Sequence, residues 1–210
     1  MNIELVLGYC AIITILLITP GPSVLLSINN GVNYGRKIAA IGVLGNVFAF
    51  QLLTLISASG IGVVLITFKD ILIVLQLIGA GYLCYLGLKI LSSPVAKLGA
   101  KEVKSSFKPS PWKIFRQAFL VTSLNPKALV FIIALLPQFI TDSERLTPQI
   151  TILCIVSASI HFMIYFSYAL LAENVAQISS SDIGRRVFDR LSGITFLIFG
   201  VGLAVTNIAT

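Results

Sequence analysis

The sequence predicts an all-α polytopic membrane protein with six transmembrane helices, arranged as two inverted three-helix repeats whose first helices are broken. Three observations lead to this fold class. The 210 residues are 57% hydrophobic and only 11% charged, with a mean hydropathy of +0.98, whereas about a quarter of the residues in soluble domains are charged. Apolar stretches of roughly 20 residues, the length of a membrane-spanning helix, recur along the chain. Proline-containing breaks interrupt a long apolar stretch in each half.

The predicted spans are apolar stretches separated by more polar connections. At 1.5 Å per residue, the first and fourth would each be roughly 40 Å long, which exceeds a hydrocarbon core of about 30 Å. We therefore expect each of these two helices to tilt or to break. The six spans are residues 5–33, 38–67, 71–91, 112–140, 149–171 and 191–208.

The first span is interrupted by Thr19-Pro20-Gly21-Pro22-Ser23, halfway along a long apolar stretch. Two prolines remove two backbone donors and clash with the preceding turn, so the helix must break here. In hydrocarbon, each freed carbonyl costs several kcal/mol unless protein, or water in a cavity, satisfies it. We therefore predict that Pro20, Gly21, Pro22 and Ser23 belong to a substrate site.

Asn125-Pro126-Lys127 interrupts the fourth span in the same way. Asn is a good helix N-cap, and Pro at the first helical position loses a donor that would be unpaired anyway. Gly21 and Pro22 fit the same two roles, with Gly the weaker cap. Each break thus presents a helix N-terminus with free N–H groups and a positive dipole end, which favours binding of a substrate carboxylate.

Lys127 is the only basic residue in the middle of a predicted span, and His161 is the only histidine. An ionisable group inside the membrane is costly and indicates function. Lys127 could pair with the substrate carboxylate or carry a coupling proton; alternatively, it reaches the cytoplasmic surface or neutralises carbonyls left bare by the break. His161 could relay protons, or it could hydrogen-bond across helices.

The predicted spans contain no Asp or Glu near their middle. The ammonium group of a substrate would therefore bind carbonyls freed at the breaks and the amides of Asn46, Gln51 and Gln138. An intramembrane enzyme would need clustered His, Cys, Asp or Glu, and a carrier for a metal or other small ion would need several oxygen ligands. We therefore predict no enzyme activity, no cofactor and no metal site. An ion carrier and a non-transport assembly subunit remain as alternatives.

Basic residues lie mainly on one side of the predicted membrane, which the positive-inside rule places in the cytoplasm, with both termini outside. The linker at residues 92–111 is rich in Ser, Pro and Lys, and it is either solvated or held against anionic membrane lipid. The net charge of +7 therefore does not indicate nucleic-acid binding. The basic residues of this side are Arg36, Lys37, Lys89, Lys97, Lys101, Lys104, Lys108, Lys113, Arg116, Arg185, Arg186 and Arg190.

The linker divides a single transporter domain into two halves of three spans, residues 1–91 and 112–210. The two breaks lie near the middle of the first helix of each half, and an odd number of spans forces the second half to insert upside down. Inverted repeats with interrupted helices indicate a secondary transporter. Small residues, which allow close packing in lipid, also recur on one face of both third helices. They are Ala80, Cys84 and Gly87, and Gly193 and Gly200.

Three collinear stretches carry a resemblance to a known family. They are TPGPSVLL at 19–26 with NGVNYGRK at 30–37 and GVLG at 42–45, then GAGYLCYLGLK at 79–89, then NPKALVF at 125–131 with LPQF at 136–139. Together they resemble the motifs of the LysE/RhtB family of amino-acid exporters, the lysine exporter and homoserine-threonine exporter type translocators. Many members have Asp or Asn where this chain has Ser23, so the resemblance leaves open how the amino group is held.

The resemblance implies a bacterial inner-membrane protein that exports amino acids or close derivatives, is driven by the proton motive force and forms a homo-oligomer. Carried onto matching positions, it assigns the site to the residues of both breaks. We therefore expect a carrier that works by alternating access, with the two halves rocking about the breaks. The assigned positions are Pro20, Gly21, Pro22, Ser23, Asn125, Pro126 and Lys127.

Overall fold

The computed structural model describes residues 3–59, 69–92, 109–141, 145–178 and 182–208. Within these ranges the chain is almost entirely helical and contains no strand, which confirms the all-α prediction. The helices are α1 Ile3–Ile18, α2 Pro22–Ala58, α3 Lys69–Leu91, α4 Pro111–Ser123, α5 Pro126–Leu135, a 3₁₀ helix at Leu136–Phe139, α6 Leu146–Ile178 and α7 Asp182–Ile208.

Helix α2 is folded back on itself at Gly35, where the backbone leaves the helical region with φ 75° and ψ 169°. Positive φ is a conformation that glycine adopts without steric cost. The side-chain amide of Asn46 donates to the hydroxyl of Ser27 at 3.0 Å, although residues this far apart in a straight helix would be separated by roughly 28 Å. Residues 22–34 and 36–58 are therefore antiparallel arms, and the turn between the first two predicted spans lies at Gly35.

The chain leaves helical geometry at both predicted breaks. Residues 19–21 separate α1 from α2, and residues 124–125 separate α4 from α5. At the second break, Asn125 acts as the predicted N-cap, because its side-chain oxygen accepts a hydrogen bond from the N–H of Lys127 at 3.0 Å. Pro126 takes the first helical position, where its missing donor costs nothing.

The folded-back helix α2 lies between α4 on one side and α6 on the other. Gly45 lies so close to the backbone carbonyl of Phe115 in α4 that a Cβ would collide with it. On the other side, α6 contacts the second arm of α2 through His161 and Phe50, whose ring centroids are 5.2 Å apart. Helix α6 also contacts α1, because the Tyr168 hydroxyl donates to the Ile18 carbonyl at 2.9 Å.

Helices α3 and α7 form a second packed pair. A Cβ on Gly87 would lie 2.8 Å from the carbonyl oxygen of Gly193, and one on Gly200 would lie 2.6 Å from the Cys84 sulfur and 2.8 Å from the Ala80 carbonyl. The small faces predicted on these two helices therefore meet each other, and they bring the backbones into close contact.

One face of α6 is buried along much of its length and directs polar side chains towards α1 and α2. The spacing of four residues places these side chains one above another on a single helix face. The buried residues of this face are Gln149, Leu153, Ser157, His161, Tyr165 and Ala169.

Several predicted boundaries were wrong. Helix α6 is longer than span 149–171, and α7 begins at Asp182 instead of 191, so Arg185, Arg186 and Arg190 lie on a helix and not in a connection. Lys113 and Arg116 lie on α4, which begins at Pro111, one residue before the predicted start of span 112–140. A helix can continue beyond the hydrocarbon core into the headgroup layer, where hydropathy no longer marks its end. Residues 60–67 of span two and 93–108 of the linker lie outside the described ranges.

Among the described helices, α2 and residues 146–174 of α6 are long and apolar enough to cross a membrane by length and composition, because each contains an 18-residue window of high mean hydropathy, 2.0 and 1.9 respectively. Helix α1 and parts of α3 and α7 are apolar but shorter. At each break an apolar stretch is divided into two short helical segments, α1 and the first arm of α2 (residues 22–34) at the first break, and α4 and α5 at the second. Each of these four segments is too short to span alone.

Candidate functional site

The two breaks meet at a small cavity in the interior of the described chain. Its volume is about 20 Å³, which is room for about one water molecule. Apolar side chains of α1, α2 and α5 close the rest of the wall. The polar side chains that line it are Ser23, Thr122, Asn125, Lys127, His161 and Tyr165.

Ser23 joins the two breaks. It is 1% exposed, and its hydroxyl accepts a hydrogen bond from the side-chain amide of Asn125 at 3.3 Å. The hydroxyl of Thr122, at the end of α4, lies 3.0 Å from the Ser23 hydroxyl. Tyr165 of α6 also hydrogen-bonds to Ser23. The first residues of α2 are therefore held against three other helices by one serine side chain.

Asn46 and Ser27 support Ser23 and Thr122 from behind. Thr122 lies 2.9 Å from the side-chain oxygen of Asn46, which can only accept, so the Thr122 proton goes to Asn46 and the Ser23 proton goes to Thr122. The Asn46 amide donates to Ser27, and Ser27 donates to the Ser23 backbone carbonyl at 3.1 Å. This closed ring of hydrogen bonds fixes the Ser23 side chain, because each member has a partner.

Lys127 bonds to the end of α1 across the cavity. Its ammonium nitrogen donates to the carbonyls of Leu16 and Thr19, each at 2.7 Å. Carbonyls in the last turn of a helix lack helical partners and carry partial negative charge. The structure thus shows the contact expected in one of the two interpretations, in which Lys127 neutralises carbonyls left bare by the break. The same side chain lines the cavity wall.

His161 is buried in the wall of the cavity and is 1% exposed. Its ring lies edge-on to Phe50 and to Tyr165, with centroid distances of 5.2 and 4.2 Å. Among the described residues, neither ring nitrogen has a hydrogen-bond partner. The cross-helix hydrogen bond that one interpretation expected is therefore not seen within these residues. A buried polar group in this state is able to bind a water or a ligand.

The structure brings some predicted residues to the cavity and leaves others away from it. Pro20 is exposed beside the cavity, and Asn46 lies one layer behind Thr122. Gln51 lies outside the lining and donates to Ser157 at 3.2 Å. Gln138 is exposed on the 3₁₀ helix and is also outside the lining.

Two polar cavity residues were not predicted from the sequence, namely Thr122 and Tyr165. Tyr165 lies one helical turn after His161, so the spacing of four residues could have identified it once His161 was suspected. Thr122 precedes the second break by three residues and had no comparable signal. Ser27 was also not predicted, although the same spacing of four residues from Ser23 could have identified it.

Comparison with known proteins identifies the family of the chain. Residues 14–207 match the family described as LysE type translocator. The chain belongs to this family. The resemblance of its three motifs is thereby confirmed, and as a LysE type translocator the chain is a polytopic membrane transport protein.

Three relatives of this LysE type translocator match over almost their whole length. An "Uncharacterized membrane protein" of Vibrio cholerae is 30% identical, over 99% of this chain and 100% of the relative. An uncharacterized membrane protein of Bacillus subtilis, YrhP, is 26% identical, over 93% of this chain and 96% of the relative. A "Homoserine/homoserine lactone efflux protein" of Salmonella typhi is 26% identical, over 97% of this chain and 98% of the relative. No solved structure matches the chain.

Proposed function

We propose that this LysE type translocator is a secondary transporter that exports amino acids or close derivatives across the bacterial inner membrane by proton antiport. The observation that carries the proposal is the meeting of two interrupted helices at one buried, polar cavity. Interrupted helices in a membrane protein are tolerated where they line a cavity or are buried in protein. The efflux activity named for the Salmonella relative supports the same direction of transport.

The substrate carboxylate binds where α2 and α5 begin. Both helices direct their positive dipole ends at the cavity, and Ser23, Asn125 and Lys127 place polar hydrogens around it. These groups bind the substrate without the help of any Asp or Glu side chain of the protein. This site resembles the midplane sites of transporters in which half-helix N-termini point at anionic substrate groups.

Substrate entry requires the cavity to open, because an amino acid does not fit in about 20 Å³. Alternating access through a rocking of residues 1–91 against residues 112–210 would open it to one side at a time. The two halves are related by inversion in this proposal. The chain from Lys127 to Phe139 runs antiparallel to α1, which supports it: Lys127 reaches the end of α1, while the ring of Phe139, on the 3₁₀ helix, lies 5.2 Å from that of Tyr9 in the first half of α1.

Proton coupling is assigned to His161 and Lys127. His161 changes charge within the physiological pH range when it is solvated, and the cavity gives both ring nitrogens a route to water once it opens. Lys127 is the second candidate because its ammonium lies in the same wall. In this assignment a proton enters from outside as the substrate leaves, and it is released to the cytoplasm before the next substrate binds.

The experiment that tests the proposal uses the purified chain in lipid vesicles preloaded with single amino acids. Efflux is followed for a panel of the common amino acids, homoserine and homoserine lactone, with and without a proton gradient. The proposal expects efflux of one or a few of these compounds that falls when the gradient is collapsed. Gradient-independent efflux would remove the antiport assignment. Efflux of none of them, or movement of a metal or other small ion instead, would overturn amino-acid export.

A further inference from the structure

The contact between Lys127 and the end of α1 has the chemistry of a binding site for a primary ammonium. Two backbone carbonyls, those of Leu16 and Thr19, converge on one nitrogen at 2.7 Å each. The Leu16 carbonyl belongs to the last turn of α1, which carries the negative end of the helix dipole, and the Thr19 carbonyl directly follows the last residue of that helix. Backbone carbonyls at the end of an interrupted helix are also groups by which transporters coordinate cations.

We propose that these two carbonyls form the subsite for the ammonium group of the transported amino acid, and that Lys127 is a tethered occupant which the substrate displaces. This inference rests on the proposed function and names the ammonium-binding group of the same site. Lys127 is then a specificity-determining residue, because it holds the subsite until a ligand with its own primary ammonium arrives.

The position of the lysine supports displacement. Its side chain passes between the two breaks, with Cδ 3.9 Å from the place a Cβ on Gly21 would occupy. The cavity that remains holds about one water, so an amino acid enters only if this side chain moves. The described residues that line the cavity include no carboxylate. Of the groups near it, the α1 carbonyls are therefore the strongest partner for an incoming cation.

Displacement also matches the charges of a zwitterion. When the substrate ammonium takes the carbonyls of Leu16 and Thr19, the freed Lys127 ammonium finds the substrate carboxylate nearby. Each charged group then has a partner, which a buried charge requires. A ligand with a carboxylate and no amine would leave Lys127 bound to the α1 carbonyls, and its carboxylate would interact only with the helix N-termini. A ligand with an amine and no carboxylate would displace the lysine without giving it a new partner.

This mechanism has a measurable signature in affinity. When a subsite is vacant only part of the time, the apparent Kd of its ligand is the intrinsic Kd divided by the vacant fraction. Replacing Lys127 by Met removes the occupant while keeping an unbranched side chain of similar length. An amine-only ligand should then bind more tightly, whereas the complete amino acid loses its carboxylate partner. Lys127→Arg keeps a tethered cation at the carbonyls and serves as the matched control.

The experiment measures ligand-dependent thermal stabilisation of the full-length purified protein. The probes are L-homoserine, L-homoserine lactone, which has the amine only, and 2,4-dihydroxybutanoate, which has the carboxylate only. If vesicle efflux selects another amino acid, that compound, its methyl ester and its hydroxy acid are used. We expect Lys127→Met to lower the Kd of the amine-only probe by about tenfold and to raise that of the amino acid. Lys127→Arg should leave the Kd of the amine-only probe near the wild-type value.

An unchanged or weaker affinity of Lys127→Met for the amine-only probe overturns the displacement mechanism. If Lys127→Met aggregates on gel filtration, the ammonium subsite is tested with the wild-type protein alone. The hydroxy acid must then bind at least about tenfold more weakly than the amino acid. Equal binding of the two compounds overturns the ammonium subsite. A wild-type protein that exports an amino acid but fails either comparison refutes this inference alone. A wild-type protein that binds and exports no amino acid refutes the proposed function itself.

Discussion

The side-chain amide of Asn125 donates to the hydroxyl of Ser23 at 3.3 Å, and this bond joins two helix breaks that are 102 residues apart in the chain. Each break by itself exposes backbone groups that hydrocarbon cannot satisfy. Together they share one polar cavity, with Thr122 and Tyr165 completing the set of partners around Ser23. The geometry of the candidate site therefore depends on a single small hydroxyl, which leads to the first prediction.

Ser23→Ala should destabilise the protein and reduce efflux. The substitution removes the acceptor of the Asn125 amide and the partner that donates to Thr122, which keeps its bond to Asn46; a buried group left unsatisfied costs about 1–3 kcal/mol. The measurement is the thermal unfolding temperature together with vesicle efflux. Ser159→Ala is the control, because this exposed serine donates only to the Ile155 carbonyl within its own helix; an equal effect of both variants would contradict the role of Ser23.

Lys127→Ala should reduce efflux by more than about tenfold while the protein remains in the membrane. The alanine cannot reach the Leu16 and Thr19 carbonyls and leaves no cation at the cavity, so both the break and the carboxylate site lose a charged partner. Efflux from preloaded vesicles is compared at equal amounts of inserted protein. Lys113→Ala, an exposed lysine on α4, is the matched control; wild-type efflux by Lys127→Ala would contradict the assignment.

His161→Leu should separate coupling from folding. The imidazole is buried and both nitrogens lack a partner among the described residues, so replacing it by an apolar side chain should leave thermal stability unchanged or raise it by about 1 kcal/mol. Proton-driven efflux should fall, whereas exchange of substrate for substrate without a gradient should persist. If gradient-driven efflux is unaffected, His161 has no part in proton transfer.

Gly200→Ala should destabilise the pair formed by α3 and α7. The new Cβ would lie 2.6 Å from the Cys84 sulfur and 2.8 Å from the Ala80 carbonyl, so the helices must separate, at a cost of about 1–3 kcal/mol. Gly202→Ala, two residues further along α7, places its Cβ with nothing within 4 Å and should be neutral or slightly stabilising. The two variants are compared by thermal unfolding in the same detergent. Equal unfolding temperatures would show that this close packing does not limit stability.

The features that the sequence could predict are those in which local chemistry decides the outcome. Prolines break helices wherever they stand, and the Asn125 cap depends only on the residues that follow it. The faces of small residues on α3 and α7 could be predicted for the same reason, since Gly87 and Gly200 lie where helical periodicity places them.

The features that could not be predicted depend on which distant segment of the chain packs against a given residue. Nothing near Lys127 in the sequence names Leu16 and Thr19 as its acceptors, and the alternative of a free ammonium was equally consistent with the spacing. Gln138 follows the second break closely in sequence, yet the 3₁₀ helix turns it to the surface. Hydropathy likewise could not find the start of α7, because its first turns carry charge while remaining helical.

The small volume of the cavity has a consequence for proton leakage across the membrane. Proton conduction along water needs an unbroken file of molecules, and the space of about 20 Å³ at the two breaks holds only about one of them. The hydrogen-bonded ring around Ser23 and the contact of Lys127 with α1 lie in the wall of this space. We therefore expect this conformation to leak few protons, so that many copies of the protein can stay in the membrane without dissipating its proton gradient.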